Sequence, residues 1–215
     1  MTWLFDNIDY VRELFVRHAW ISVVSTLIGF AVSLPIGWYA HRHPRLRGVT
    51  VALVGVLYTI PSLAVFVILP GILGTKILSV VNVIVALSTY AAAVMVRTTT
   101  DAFGSVSPQV VDAATASGFS SGQRVFRVEL PLAGPVLLAG LRVVSVSTVS
   151  MLSVASLIGV SNLGSLFTDG FRRDFLTEIV IGIAGIVLLA ILLDLLLVLA
   201  GRALMPWTRS LAGAR

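Results

Sequence analysis

Residues 179–201 read IVIGIAGIVLLAILLDLLLVLAG, an apolar run broken by a single acid, Asp194. A helix needs about 20 such residues to cross a hydrocarbon core of ~30 Å. This one segment therefore places the chain in a bilayer. Four more uncharged windows lie upstream of it: 143–168, with a start as early as Gly134; 77–96; 48–75, with Pro70-Gly71 marking its exit; and 19–40. Backbone groups in lipid must pair within their own segment, so each window is expected to be helical. A barrel would need short strands of alternating polarity, and these runs are continuous. The expected fold is all-α: a polytopic bundle of about five transmembrane helices. It forms one membrane domain over residues 19–215, preceded by an amphipathic lead-in over 1–18.

Composition points the same way. The chain is 57% hydrophobic and only 12% charged, with a mean hydropathy of +1.00. A water-soluble domain carries about 25% charged residues. The net charge of +5 is spread between apolar runs, with no basic cluster interleaved with aromatics, so no nucleic-acid partner is expected. There are no cysteines, which excludes disulfides, thiolate catalysis and Cys-based metal sites. His41-x-His43 lacks a third ligand and reads as solvated. No Ser–His–Asp set falls at membrane depth and no Walker-type phosphate loop occurs, so the chain is not expected to be an enzyme or to hold a cofactor of its own. Asp6, Asp9 and Glu13 near the start do not make the basic region of a cleavable leader, so the first span is expected to act as the targeting signal.

Basic residues set the expected orientation. Arg42, Arg45, Arg47, Arg97, Arg124, Arg127, Arg142, Arg202, Arg209 and Arg215 fall on one side of an odd number of spans. Arg12, Arg17, Lys76, Arg172 and Arg173 fall on the other. The positive-inside rule then puts the N-terminus outside and both the long loop 101–131 and the C-terminus in the cytoplasm. In the lead-in, Leu4, Ile8, Val11 and Phe15 recur at helical spacing among charges. That pattern fits either a short helix lying on the outer membrane surface or a segment packed on the bundle.

The loop 101–131 is the one long polar interruption, and its punctuation is helical. Ser107-Pro108 reads as an N-cap followed by proline at the first helical position. A helix through Asp112, Ala113 and Ala114 should end at Gly118, where a left-handed residue is cheap. After Phe119, Ser120 and Gln123 stand at capping-box spacing and should open a second helix. That helix should run past Phe126, which can anchor it in the membrane-proximal body, and stop at Leu130-Pro131. The small residues Ala113, Ala114 and Gly118 leave room for a partner surface to approach closely. Arg124 and Arg127 can meet acids or lipid phosphates. The bland reading is that this elbow only caps the bundle.

The pattern Asp112-Ala113-Ala114, three residues, Gly118, then a run to Val128-Glu129-Leu130-Pro131 resembles the EAA loop of ATP-binding-cassette (ABC) importer permeases of type I. Asp112 stands where that family usually has Glu. The resemblance extends to Tyr58–Ala64, Glu129–Val136, Gly140-Leu141-Arg142, Leu157-Ile158-Gly159 and Asn162-Leu163-Gly164, which look like segments of the osmoprotectant branch (glycine betaine, carnitine, choline). Val160-Ser161 stands where that branch often has smaller residues. It implies a multi-pass permease subunit in a bacterial plasma membrane, importing a small solute by alternating access. It implies an ATPase dimer in the cytosol that binds ATP and magnesium and grips the loop through Asp112, Ala113, Ala114, Gly118, Phe119, Ser120, Gln123, Phe126, Leu130 and Pro131. It also implies a second permease subunit, identical or sister, and an extracytoplasmic solute-binding protein.

Candidates for the solute path come from polar groups at membrane depth. Pro61 should kink the second span, and the carbonyl it frees, flanked by Tyr58, Thr59 and Ser62, could face a cavity. Tyr90 in the third span and Ser147 and Ser150 in the fourth could face the same route, although small hydroxyl residues also serve close helix packing. A kink made for packing alone fits Pro61 equally well. Asp194 is the one acid inside a span, with Arg142 or Arg202 as its expected partner. A stand-alone secondary carrier or channel is the rival reading, since such carriers also place acids at this depth.

Overall fold

The computed structural model describes residues 2–208, and these are mostly helical, with no strand among them. Arg209 and Arg215, counted above for orientation, lie outside the described residues. The helices are α1 (Thr2–Asp6), α2 (Ile8–Arg42), α3 (Pro44–Thr59), α4 (Ser62–Leu73), α5 (Val80–Gly104), α6 (Pro108–Ala116), α7 (Ser121–Arg124), α8 (Leu130–Leu152), α9 (Ser165–Arg172) and α10 (Leu176–Leu204). A π-helical turn, Val125–Glu129, joins α7 to α8, and a 3-10 turn, Ser153–Ile158, extends α8. Among the described residues, four continuous helices are long and apolar enough to cross a membrane, and the bent pair α3–α4 makes a fifth crossing if counted as one.

The core is the pair α2–α5. Along α2, the buried Ser22, Ser25, Gly29, Ser33 and Gly37 recur every three to four residues and form one stripe. In lipid no hydrophobic force pulls helices together, so close backbone approach and interhelical hydrogen bonds take its place. A Cβ built at Gly29 would lie 2.4 Å from Ala91 Cβ, and one at Gly37 would lie 2.5 Å from Thr99 Cβ. Thr100 donates to the Gly37 carbonyl at 3.3 Å across the same seam. Larger apolar residues fill the flanks. Phe103, Leu137, Leu141 and Val144 pack beside one end of the seam, and Ile21, Phe66, Leu87 and Leu152 beside the other.

Four expectations need correction. The lead-in is not a separate surface helix. α2 begins at Ile8 and runs without a break through residue 19, and Leu14, Val11 and Phe15 pack against Leu163, Leu166 and Leu189. Burying that apolar face on protein is the second of the two readings given above. The second span is broken rather than kinked: α3 and α4 meet at 98°. Ile60 is extended (φ −68°, ψ 131°), the conformation forced on a residue before proline, and Pro61 caps α4 instead of sitting within a helix. The fourth span starts earlier and ends earlier than 143–168, because Gly159 (φ 84°) turns the chain away and α9 is a separate short helix. Finally, Leu130-Pro131 does not terminate a helix. It is the first turn of α8, where a missing N–H costs least, and the wide turn before it absorbs the change in hydrogen-bonding register.

The two ends of the bundle are chemically distinct. One carries the α2–α3 turn, the elbow 105–131 and the end of α10, and is laced by Arg42–Glu129 (2.7 Å) and Arg47–Asp101 (2.8 Å). The opposite end carries residues 2–7, 74–79 and 159–175. There the buried His18 binds the Val149 carbonyl (2.9 Å) through Nε2, while its Nδ1 accepts from the Leu163 N–H (3.2 Å). His18 thereby ties α2, α8 and the 160–164 turn together.

Candidate functional site

The elbow is built by local chemistry. Ser107 precedes Pro108 with extended backbone (φ −59°, ψ 128°), and its hydroxyl bonds the Gln109 side chain rather than a backbone N–H. α6 closes in a Schellman arrangement: the Phe119 N–H donates to the Ala114 carbonyl (3.1 Å) and the Gly118 N–H to the Thr115 carbonyl (3.0 Å). Gly118 sits at φ 83°, where a side chain would strain the backbone. Two residues on, the capping box is complete. The Ser120 N–H donates to Gln123 Oε1 (2.9 Å) and the Gln123 N–H to Ser120 Oγ (3.4 Å). α7, the π turn, α8 and the 3-10 turn then form one 38-residue helical rod, Ser121–Ile158. At 1.5 Å per residue it is roughly 57 Å long, enough to carry the elbow's position through the whole bilayer.

The expected docking residues divide into two sets. Asp112, Ala113, Gly118, Ser120 and Gln123 are exposed, and nothing lies within 4 Å of a Cβ built on Gly118. Ala114 is turned inward and buried, so it packs on the chain itself instead of receiving a partner, and Phe119 is half-buried. Leu130 and Pro131 belong to α8 and are half-buried. Phe126 does not anchor the elbow: it is 72% exposed, at the rim of an apolar recess formed with Leu34, Trp38, Phe103 and Val125.

Behind the elbow lies a charged node for which the sequence offered little signal. Glu129, on the π turn, has a side chain only 4% exposed. Its Oε1 accepts from Arg42 Nη2 (2.7 Å) and from Arg124 Nε (3.0 Å). Arg124 Nη1 in turn donates to Thr115 Oγ1 on α6 (2.8 Å). The available clue was an acid two residues before Pro131, at the edge of an apolar run. Sequence spacing does not reveal that Arg42, distant in the chain, meets it.

The path candidates also separate. Tyr58, Tyr90 and Ser147 line one small cavity together with Val144 and Thr148. The Tyr58 and Tyr90 rings meet edge to face with centroids 6.0 Å apart. The Tyr90 hydroxyl donates to the Ile60 carbonyl (2.5 Å), satisfying an acceptor freed by the break at Pro61. That cavity encloses about 10 Å³, the space of a single water. Thr59 turns its hydroxyl back to the Val56 carbonyl (2.7 Å). Pro61 is exposed, Ser62 is half-buried at the start of α4, and Ser150 is exposed and does not line the cavity. Asp194 pairs with Arg142 through two hydrogen bonds (2.6 and 2.7 Å), as one of the two expected partners.

Residues 19–210 match the model of one protein family, the binding-protein-dependent transport system inner membrane component. The chain belongs to that family. It is thus a multi-pass inner-membrane permease component. The osmoprotectant import permease protein OsmW of Salmonella typhimurium is 30% identical over 198 residues, covering 91% of this chain and 92% of that one. The glycine betaine/carnitine/choline transport system permease protein OpuCD of Bacillus subtilis is 31% identical over 206 residues, covering 95% and 89%. Among solved structures, the inward-facing methionine ABC transporter MetNI aligns with a TM-score of 0.72 at 23% identity, covering 91% of the permease and 96% of that chain. An amino acid ABC transporter aligns at 0.67 and 16% identity. These two likenesses establish the fold, a helical bundle shared with those transporter chains.

Proposed function

We propose that this permease component moves a small quaternary-amine osmoprotectant, such as glycine betaine, carnitine or choline, inward by alternating access driven by a cytosolic ABC ATPase. The exposed elbow carries the reading. Its corner at Gly118–Gly122 has open space around it, and it continues without a break into a helix that spans the membrane. A load applied at the corner is therefore delivered along the rod, as a coupling element requires. The solute class rests on the relatives named above.

The cavity lined by Tyr58, Tyr90 and Ser147 has room for about one water, too little for such a solute, which supports a path completed by a second permease subunit across these residues. Aromatic faces suit a quaternary ammonium, which has no N–H to donate and is held by cation–π attraction. A solute-binding protein delivers the solute at the end carrying α9, and the ATPase binds at the elbow end. The N-terminus then lies outside and the C-terminus in the cytoplasm.

The test is co-expression of the chain with a cytosolic ABC ATPase and a binding protein. Uptake of radiolabelled choline and glycine betaine is then followed in cells lacking other osmoprotectant importers. ATP-dependent uptake together with co-purification of the ATPase is expected. Uptake that persists without the ATPase under an ion gradient alone would reject the reading in favour of a secondary carrier.

A further inference from the structure

Glu129 occupies a position that the docking surface does not explain. It faces inward, away from the corner, yet arginines from two separate helices converge on it. Arg42 comes from the last turn of α2 and Arg124 from α7, and both guanidiniums meet the same carboxylate oxygen (2.7 and 3.0 Å). Arg124 also reaches α6 through Thr115 (2.8 Å). Glu129 itself closes the π turn, in which the Leu130 N–H bonds the Val125 carbonyl. A π turn inserts one residue into the helical repeat and often marks a functional position.

We propose that Glu129 is the positioning residue that converts displacement of α6 into joint movement of α2 and α8. This rests on the coupling function argued above for the elbow. α6 is a separate helix, set off from α5 by residues 105–107 and from the rod by residues 117–120. The Thr115–Arg124–Glu129–Arg42 relay bridges the second gap through side chains and adds α2, which no covalent path from the elbow reaches directly.

Simple anchoring would be served as well by apolar side chains, because a buried ion pair seldom stabilises more than a well-packed hydrophobic replacement. What charge adds is geometric specificity, since each guanidinium must meet the carboxylate at a defined angle. The node is also unevenly matched: two cations share one anion, Arg42 rests over the Trp38 ring (5.6 Å), and Arg42 Nε is buried with no hydrogen-bond partner. Arg42 is thus held by the carboxylate and by ring contact rather than by a closed hydrogen-bond set. Movement of Glu129 carries it along.

The experiment uses the full permease co-purified with its ATPase and reconstituted in liposomes with the binding protein. Co-purified ATPase, basal ATP hydrolysis and labelled glycine betaine taken up per ATP hydrolysed are read separately. Glu129→Ala is expected to retain the ATPase and keep basal hydrolysis within about twofold, while uptake per ATP falls by about tenfold, the scale of coupling lost when a connecting residue is removed. Glu129→Gln, which keeps the shape and one acceptor, should fall between Ala and wild type and guards against misfolding of the alanine variant. Arg124→Ala and Arg42→Ala should each lower uptake per ATP in the same way. The proposal is overturned if Glu129→Ala and Glu129→Gln leave uptake per ATP at the wild-type value, or if uptake falls only in proportion to the amount of assembled complex. Failure of the unaltered chain to bring down any ATPase would instead overturn the coupling reading beneath it.

Discussion

At the scale of single residues, the chain is decided by a few charges placed where charges are costly. Arg142 and Asp194 meet about 15 Å from the end of α10, well inside the apolar run. Their side chains are 41% and 32% exposed on the chain taken alone. In lipid an unpaired charge at that depth is expensive, so each makes the other tolerable. Arg142→Leu should therefore leave Asp194 uncompensated and lower the yield of folded, detergent-stable protein several-fold. Arg142→Leu combined with Asp194→Leu should recover most of it, because removing both partners strands no charge. Size-exclusion profiles of the purified variants check this; a double variant that folds no better than the single one would contradict it. The acid and one of its possible partners were legible in the sequence, since a lone acid in an apolar run demands a cation. Glu129 was not, because it sits at a span boundary where charges are ordinary, and its partner Arg42 lies 87 positions away.

At the scale of elements, punctuation residues were read correctly where their effect is local. Gly118 ends α6, and Ser120 with Gln123 opens α7, since both outcomes depend on hydrogen bonds within a few residues. Proline was harder to place. Pro61 and Pro131 each signal a missing donor, but the neighbours decide whether the helix breaks by 98°, as at Pro61, or continues behind a π turn, as at Pro131. Gly118 serves the turn itself, since its φ of 83° is strained for a residue with a side chain, and the open space beside it also leaves room for a partner surface. Gly118→Asn should keep solute uptake within about twofold, because asparagine visits left-handed angles at low cost. Gly118→Val should destabilise the corner by about 1–2 kcal/mol and lower both uptake and ATPase co-purification. If asparagine proves as harmful as valine, the contact explanation is the correct one.

At the scale of the whole molecule, hydropathy placed the crossings but missed how two of them are built. A window of apolar residues is blind to a right-angle break within it and to a turn such as Gly159 near its end. The proposed orientation draws on the grouping of the elbow, the α2–α3 turn with its arginines, and the end of α10 at one pole. Basic residues flanking spans are held back from translocation, so this pole should face the cytoplasm. The absence of cysteine makes the test direct, since any thiol introduced is the only one in the chain. Ser161 and Ser121 are both exposed and lie at opposite poles. Ser161→Cys should react with a membrane-impermeant maleimide in intact cells, whereas Ser121→Cys should react only after the membrane is opened. The reverse pattern would turn the bundle over, place the elbow beyond reach of any cytosolic ATPase, and leave the rod from Ser121 to Ile158 with no motor to drive it.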